Sequence, residues 1–219
     1  MNICLISQNA SPGLTIFRKD FIRYLIDQGH QVYAFAIDYT VVSREIVSEF
    51  GAIPMDYSLN KSRLNIFADL NDTWLLSKQL KKIQPDIVFS FFIKPSVYGT
   101  LAAKLAKVPR RIAMLEGAGY MYTPSKNKLS FKKIILQYAH GLLISMGYAF
   151  ADKVLFLNPD DPVDLTKKSF INSKKFKVIG PIGLELSSYP YTEVVITKSI
   201  RFIFIARMLA EKGIYEYLA

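Results

Sequence analysis

The feature of this sequence that most constrains its fold is a regular alternation of short apolar runs with helical patterns. Residues 2–7 form a strand-sized apolar run, 15–28 are predicted to be a helix, and 31–37 form a second apolar run. The first predicted helix carries an apolar face that contains Phe17, Phe21, Tyr24 and Leu25. Further strands are predicted over 52–55, 86–89, 111–115, 153–157 and 176–179, with helices over 43–50, 65–83, 95–107 and 129–150 and from 161. This alternation predicts an α/β fold, namely a Rossmann-like, doubly wound parallel sheet with helices on both faces.

The order of the predicted elements also places a ligand cleft. A doubly wound sheet binds its ligands beyond the carboxyl ends of its strands. The segments at these ends are 7–13, 90–94, 116–120 and 158–160, and we expect them to surround one cleft. Lys94 is therefore a predicted cleft residue.

A domain boundary is predicted at 180–183, where two glycines and a proline interrupt any regular element. We assign residues 1–182 to a first domain and 183–199 to a linker. An apolar run at 200–205 predicts a new strand, and a helix is expected to begin at 210. Since one strand and part of a helix cannot bury a core, residues 200–219 are expected to be the truncated start of a second Rossmann-like domain.

The positive charge of the chain is concentrated in one region. The formal net charge is +10, and residues 94–151 contain nine bases against a single acid, Glu116. This distribution indicates an anionic partner, for which a membrane surface, a phosphate ligand and a nucleic acid are the candidates. Nucleic-acid binding is disfavoured, because the bases are interleaved with long apolar runs and no recognised reading motif is present.

Four lysines flank a largely apolar stretch within this region, namely Lys126, Lys128, Lys132 and Lys133. A basic helix with an apolar face can lie in a bilayer interface, and these lysines would then face the membrane. A long core helix with a solvated lysine end fits the same pattern. The sequence leaves both interpretations open.

Several classes of protein are excluded or disfavoured. The single cysteine, Cys4, excludes a disulfide framework and a cysteine-based zinc site, and we expect it to be a buried apolar residue. No secretory signal and no run of about 18 apolar residues is visible, so we expect a cytoplasmic protein that does not span a membrane. The turn after the first strand lacks G-x-G-x-x-G, which argues against an NAD-dependent oxidoreductase.

Three residues in loops are candidates for phosphate binding. Gly13 lies in the turn after the first strand, where a glycine either permits close approach of a phosphate or forms a tight turn. Arg207 and Lys212 lie five positions apart after the last apolar run. An arginine supplies a bidentate fork and a lysine a mobile charge, so the pair could clamp a diphosphate; an ordinary basic loop is the alternative.

Six segments, taken in order, resemble the glycosyltransferases of family 4, which have the two-domain GT-B fold. They are the first strand with its turn, 104–109, 115–120, 157–161, 182–190 and 204–213. The resemblance covers essentially the whole chain and is strongest to bacterial enzymes of pilin glycosylation, capsule synthesis and lipid-linked oligosaccharide synthesis. It implies that residues 1–182 are the N-terminal, acceptor-side domain of a GT-B fold.

The resemblance implies a retaining transferase. It would move a hexose or N-acetylhexosamine, such as galactose or N-acetylgalactosamine, from a UDP-sugar to an undecaprenyl-diphosphate-linked saccharide. Such an enzyme needs no cofactor and no metal, binds no nucleic acid, and lies peripherally on the inner face of the plasma membrane. The alternative is a non-catalytic, truncated domain that binds acceptor or membrane. We expect negligible transfer by the 219 residues alone, because the family's Glu-x7-Glu donor segment would follow them.

The resemblance also implies roles for single residues. Arg207, Lys212 and Gly13 are expected to contact the donor diphosphate, although Ala206 replaces the glycine that usually precedes the arginine. Asp160 and the following Asp161 are expected to cap a helix and not to hold a metal.

The predicted acceptor side of the cleft is the loop after the fifth strand. Gly117, Gly119 and Tyr120 are expected to line it together with Lys94. Glu116 occupies the loop in which many family members have a histidine, and it is a hypothetical base for the acceptor hydroxyl or a sugar ligand. The alternative is a structural acid that pairs with Lys94 or with another nearby base.

Overall fold

The first unit of the chain is built on one parallel sheet of seven strands. The computed structural model describes residues 1–60, 66–117, 131–166, 173–183, 185–193, 201–208 and 210–218. The strands are β1 Asn2–Ile6, β2 Gln31–Ala36, β3 Ile53–Asp56, β4 Ile87–Phe91, β5 Arg110–Leu115, β6 Lys153–Phe156 and β7 Phe176–Val178. Their order is β3-β2-β1-β4-β5-β6-β7, and every neighbouring pair is parallel. The predicted α/β, Rossmann-like fold is confirmed.

Helices connect the strands and cover both faces of the sheet. They are α1 Lys19–Asp27, α2 Val41–Glu49, α3 Ile66–Ile83, α4 Ile93–Leu105, α5 Phe131–Ala149 and α6 Asp160–Thr166. One core cluster joins α1 and α2 to residues such as Leu5 and Phe91, and a second joins α3, α4 and α5 to residues such as Cys4 and Val88. Because successive residues of a strand point to opposite faces, Cys4 and Leu5 enter different cores. Burial raises the pKa of the Cys4 thiol to about 12, as expected for a core residue.

The helix predicted over 15–28 begins later, at Lys19. In the preceding turns one carbonyl accepts two hydrogen bonds: Ala10 O accepts from the N–H groups of residues 14 and 15, and Pro12 O from those of residues 16 and 17. Bonds between residues four and five apart are mixed there, and the regular four-residue spacing of an α-helix begins only at Lys19. Of the predicted apolar face, Leu25 is buried together with Ile22, whereas Phe17, which precedes α1, and Tyr24 are exposed.

The helices α4 and α5 pack with very close backbones. At Gly147 of α5, a Cβ atom would lie only 2.6 Å from the Cα of Val97 in α4. Real Cβ atoms do not approach a neighbouring backbone so closely, so only glycine fits. This contact sets the distance between the two helices.

The remainder of the chain forms a second unit, Glu185–Ala219, separate from Met1–Leu184. It contains the helix α7, Ile214–Leu218, and short 3-10 turns at Leu186–Ser188 and Ala210–Lys212. The predicted strand over 200–205 is wrong for the described residues 201–205, which form no strand. A strand needs a partner for its backbone groups, and the described residues of this unit supply none. The assignment of 200–219 to the start of a second domain stays a prediction.

In the part of the chain that the structure describes, no helix has both the length and the apolar character needed to cross a bilayer.

Candidate functional site

The predicted cleft corresponds to the point where the strand order reverses. The strand β1 pairs with β2 on one side and with β4 on the other. The chain leaves β1 toward α1 on one face of the sheet and leaves β4 toward α4 on the opposite face. Diverging loops of this kind open a crevice beyond the carboxyl ends of the strands. The segments 7–13 and 90–94 meet there.

The loop after β1 is held by hydrogen bonds from the next two strands. The hydroxyl of Tyr57, which follows β3, donates to Ser7 O at 2.8 Å. The backbone N–H of Ala10 donates to the carboxylate of Asp38, which follows β2, at 2.7 Å. Ser7 Oγ donates to Asn9 O at 2.9 Å. These bonds fix one wall of the crevice before any ligand arrives.

The contacts of Gly13 explain why a glycine stands in this loop. A Cβ atom at this position would lie 2.5 Å from both Asn9 O and Asn9 Oδ1 and 2.6 Å from Ser7 Oγ. The glycine is therefore required by the packing of the loop against itself. Its contact with a donor diphosphate stays a prediction.

An ion pair that the sequence analysis missed links two loops of the cleft. Arg18, at the end of the loop after β1, pairs with Glu116, which directly follows β5. Both side chains are nearly buried, at 5% and 11% exposed. Arg18 also stacks over the ring of Phe91, at 4.3 Å from its centroid, and donates from Nη1 to Phe17 O at 3.1 Å. Burial lowers the pKa of the Arg18 guanidinium to about 10, so it keeps its charge at neutral pH.

This pair bears on the two interpretations of Glu116. A general base needs a carboxylate that is free to take a proton from the acceptor hydroxyl. A buried guanidinium paired with a carboxylate favours the charged form of the acid and occupies its oxygen instead. The contact supports the structural interpretation, in which Glu116 pairs with Lys94 or another nearby base, and it identifies that base as Arg18.

Lys94 is engaged elsewhere in the crevice. Its ammonium donates to both carboxylate oxygens of Asp69 in α3, at 2.8 and 3.0 Å, and to Asn60 O at 2.9 Å. The side chain of Asp69 is fully buried. These contacts tie the start of α4 to α3 and give Lys94 a structural role. A role for Lys94 in acceptor binding stays a prediction.

The residues after β6 form a helix start. The side chain of Asn158 accepts hydrogen bonds from the backbone N–H groups of Asp160 and Asp161, at 3.0 and 2.9 Å. Its amide donates to the Asp161 carboxylate at 2.9 Å. The cap of α6 is thus made by Asn158, and the two aspartates lie in the first turn, where the helix dipole favours negative charge. Within the described ranges, no group of three His, Cys, Asp or Glu side chains could hold a metal ion.

A cavity of about 340 Å³ adjoins Arg18 on the α1 side of the sheet. Its wall is formed by Phe17, Arg18, Phe21, Phe89, Met114, Leu155, Ile179, Pro181, Ile182 and Gly183. Among these lining residues Arg18 carries the one charge, which Glu116 already balances. The cavity is suited to an apolar group and not to a phosphate.

The other predicted site residues are not tested by these contacts. Gly117 lies beside Glu116 with a φ of +129°, a conformation that suits glycine. Gly119, Tyr120, Lys126 and Lys128 lie outside the described residues, as do the side chains of Lys132 and Lys133 in α5. Arg207 and Lys212 lie in the unit Glu185–Ala219, and their role at a diphosphate stays a prediction.

The sequence of this chain matches the model of a known protein family. The family model described as glycosyl transferase 4-like matches residues 2–158, which include the strands β1 to β6 and the loops of the crevice. The chain belongs to the glycosyl transferase 4-like family.

This glycosyl transferase 4-like chain has a curated relative in Campylobacter jejuni. That protein is named N,N'-diacetylbacillosaminyl-diphospho-undecaprenol alpha-1,3-N-acetylgalactosaminyltransferase, and it is 27% identical over 223 residues. The match covers 95% of this chain and 57% of the relative. The glycosyl transferase 4-like chain therefore spans little more than half the length of this relative.

Solved structures place the glycosyl transferase 4-like chain within the GT-B fold. A crystal structure of Anabaena HepE in complex with UDP and glucose matches 88% of this chain and 47% of its own, with a TM-score of 0.60 and 13% identity. A UDP-GlcNAc 2-epimerase from Neisseria meningitidis, bound to UDP-GlcNAc, matches 81% of this chain and 46% of its own, with a TM-score of 0.53 and 15% identity. At such identities the likeness concerns the fold alone.

Proposed function

We propose that this protein is a retaining transferase that moves a hexose or N-acetylhexosamine from a UDP-sugar to an undecaprenyl-diphosphate-linked saccharide. The observation that carries the proposal is the similarity to the Campylobacter jejuni transferase, which extends over 95% of the chain. The name of that relative specifies a diphospho-undecaprenol acceptor and an N-acetylgalactosaminyl group. The crevice at the β1–β4 reversal supports the proposal, because nucleotide-dependent folds of this type bind substrate there.

The donor is proposed to be a UDP-sugar held by Arg207 and Lys212. Both residues lie in the second unit, and the side chain of Arg207 is exposed, so its guanidinium is available to a ligand. Transfer of the sugar builds negative charge on the leaving diphosphate, which fixed cations stabilise. With two protein cations at the diphosphate, we propose that no metal ion is needed.

We also propose that the protein acts at the inner face of the plasma membrane. An undecaprenyl-linked acceptor stays in the bilayer, so the enzyme must come to the lipid surface. The lysines flanking the start of α5, at 126, 128, 132 and 133, would support this association through anionic headgroups.

Replacing Arg207 with alanine is expected to lower kcat/KM for the UDP-sugar about 100- to 1,000-fold, the effect of removing one transition-state donor. The measurement is release of UDP by the purified full-length protein with a lipid-linked saccharide acceptor, assayed with a panel of UDP-sugars and in the presence of EDTA. Lys212→Ala is expected to act in the same direction. The anomeric configuration of the product, read by NMR, tests retention.

The matched control is Arg201→Ala, an exposed arginine of the same unit, which is expected to leave kcat/KM unchanged. Equal losses in both variants would contradict a specific diphosphate contact. Absence of transfer with every donor, together with intact binding of the acceptor, would favour the alternative of a non-catalytic binding protein.

A further inference from the structure

The solvent-facing side of α3 is apolar where a surface helix is normally polar. Phe67 is 87% exposed, and Trp74, Leu70 and Leu75 are 50%, 46% and 43% exposed. Phe67, Leu70 and Trp74, spaced three and four residues apart, lie on one face of the helix. Leu75 lies at the border of this face, with the exposed Asn71 between it and Phe67. We call this face, from Phe67 to Leu75, the α3 ridge.

The opposite side of α3 already makes the contacts that fix the helix. Leu76 and Leu80 are buried in the core cluster shared with α4 and α5. Asp69 forms an ion pair with Lys94, and Thr73 Oγ1 donates a hydrogen bond to the backbone oxygen of Asp69 at 2.7 Å. The orientation of α3 is therefore set by its inner face, and none of the four ridge residues belongs to a core cluster.

The exposed charged residues that continue this side of α3 are all basic. Lys78, Lys81 and Lys82 continue the ridge toward the end of the helix, and all three are exposed. The ammonium of Lys78 lies 3.4 Å from the centre of the Trp74 ring. Of the two acids of the helix, Asp69 is buried, and Asp72, which is partly exposed, accepts a hydrogen bond from Ser58. The outer surface of α3 is thus an apolar half followed by a basic half.

The ridge belongs to a broader apolar surface. The helices α3 and α5 pack on either side of α4, on the same face of the sheet. The exposed side of α5 carries Tyr138, Leu142 and Met146, spaced four residues apart and 56–61% exposed. Leu105 of α4 is 47% exposed. Apolar side chains therefore reach solvent along the outside of all three helices.

We propose that the α3 ridge is a docking surface for an anionic lipid bilayer, with Phe67, Leu70 and Trp74 entering the interface and the three lysines contacting headgroups. Tryptophan beside lysine is typical of side chains at the boundary between hydrocarbon and water. A second copy of the chain fits less well, because a self-complementary contact would bring six like charges together in a protein of net charge +10. The inference rests on the proposed function only for the choice of a lipid surface as the partner.

The test uses the fluorescence of Trp74, the one tryptophan of the sequence. Full-length protein is mixed with vesicles of phosphatidylcholine alone or with phosphatidylglycerol, and the spectrum of a Trp74→Phe variant is subtracted. We expect a blue shift of the Trp74 signal and its quenching by brominated acyl chains, only with the anionic vesicles. Because no sugar transfer is measured, failure of the proposed enzymatic activity would leave this result unchanged.

Two variants and a matched control locate the binding surface. Phe67→Ser with Leu70→Ser is expected to weaken partitioning into anionic vesicles at least tenfold. Lys78→Gln with Lys81→Gln and Lys82→Gln is expected to weaken it about 100-fold, about fivefold per lysine. Val41→Ser with Val42→Ser, which removes two exposed apolar residues from α2 on the other face of the sheet, is expected to have no effect.

Three outcomes would overturn the inference. The first is vesicle binding without a change in the Trp74 signal, which would assign the membrane contact to another surface. The second is an equal loss of binding in the Val41/Val42 control. The third is a blue shift that depends on protein concentration without vesicles, which would show the ridge to be covered by a second copy.

Discussion

Replacing Gly147 with leucine is expected to prevent the first unit from folding. A Cβ at this position would lie 2.6 Å from Val97 Cα, 2.7 Å from Val97 Cγ1 and 2.9 Å from Val97 Cβ. The closest of these atoms belongs to the backbone of α4, which cannot rotate away as a side chain can. Separating α4 from α5 would open the core around Tyr148, which is fully buried. Such a loss is comparable with the whole stability of a domain, about 5–15 kcal/mol.

The smaller change, Gly147→Ala, measures the same contact in a protein that still folds. We expect a loss of about 1–3 kcal/mol from overpacking, although alanine favours a helix over glycine by about 1 kcal/mol. Thermal unfolding followed by circular dichroism should show a midpoint lower by about 2–12 °C. Gly183→Ala is the control, because a Cβ there meets nothing within 4 Å. An unchanged midpoint for Gly147→Ala would mean that α4 and α5 are farther apart than described.

The ion pair of Arg18 and Glu116 is expected to show strong coupling. Arg18→Met and Glu116→Gln should each lower the free energy of unfolding by about 3–5 kcal/mol, because each leaves an uncompensated charge in a nearly buried place. The double variant should lose less free energy of unfolding than the two single variants together, and the difference, the coupling energy, should be about 1–3 kcal/mol. The measurement is denaturant unfolding of all four proteins. Additive losses would contradict the pair.

Turnover in the same four proteins separates the two interpretations of Glu116. If Glu116 is structural, the double variant should regain turnover along with stability. If Glu116 is the acceptor base, turnover should stay about 100- to 10,000-fold lower in the double variant even where stability recovers. We expect the first result, since Arg18 occupies the carboxylate.

The fold was predictable because the signals for it are local. The strand-sized apolar runs and the helical patterns each lie within a few residues, and the described elements of the first unit agree with them to within a few positions. The predicted start of α1 at residue 15 was wrong for a local reason as well, since turns with mixed hydrogen-bond spacing precede Lys19, and Phe17 and Tyr24 are exposed. A pattern of apolar residues does not reveal such a change in hydrogen bonding.

The partners within the site were not predictable from the sequence. Arg18 and Glu116 lie far apart along the chain and meet only because β1, β4 and β5 stand side by side. From the sequence, Lys94 or another nearby base was the expected structural partner of Glu116. In the structure Lys94 pairs with Asp69 of α3, a helix whose position the apolar pattern of the sequence did not predict. Charge pairing depends on side-chain direction, which a list of loop segments does not contain.

The exposed ridge shows a third kind of limit. Phe67, Leu70 and Trp74 are apolar, and so are Leu76 and Leu80 on the inner side of the same helix. With apolar residues on both sides, the sequence of α3 does not say which side is buried. The structure resolves this through Asp69, whose burial with Lys94 fixes the inner face.

The strand order has a consequence for how the chain assembles during synthesis. The strands β1, β2 and β3 emerge first and pair in sequence, but the other edge of β1 stays open until β4 has been made, at Phe91. At ribosomal rates that delay lasts roughly 4 to 17 seconds. During it the apolar edge Ile3–Ile6 is unpaired, and such an edge invites pairing with other chains. From β4 onward, each strand pairs with the one made before it. Among the strand edges that become paired in this sheet, the edge of β1 that faces β4 therefore stays unpaired for longest.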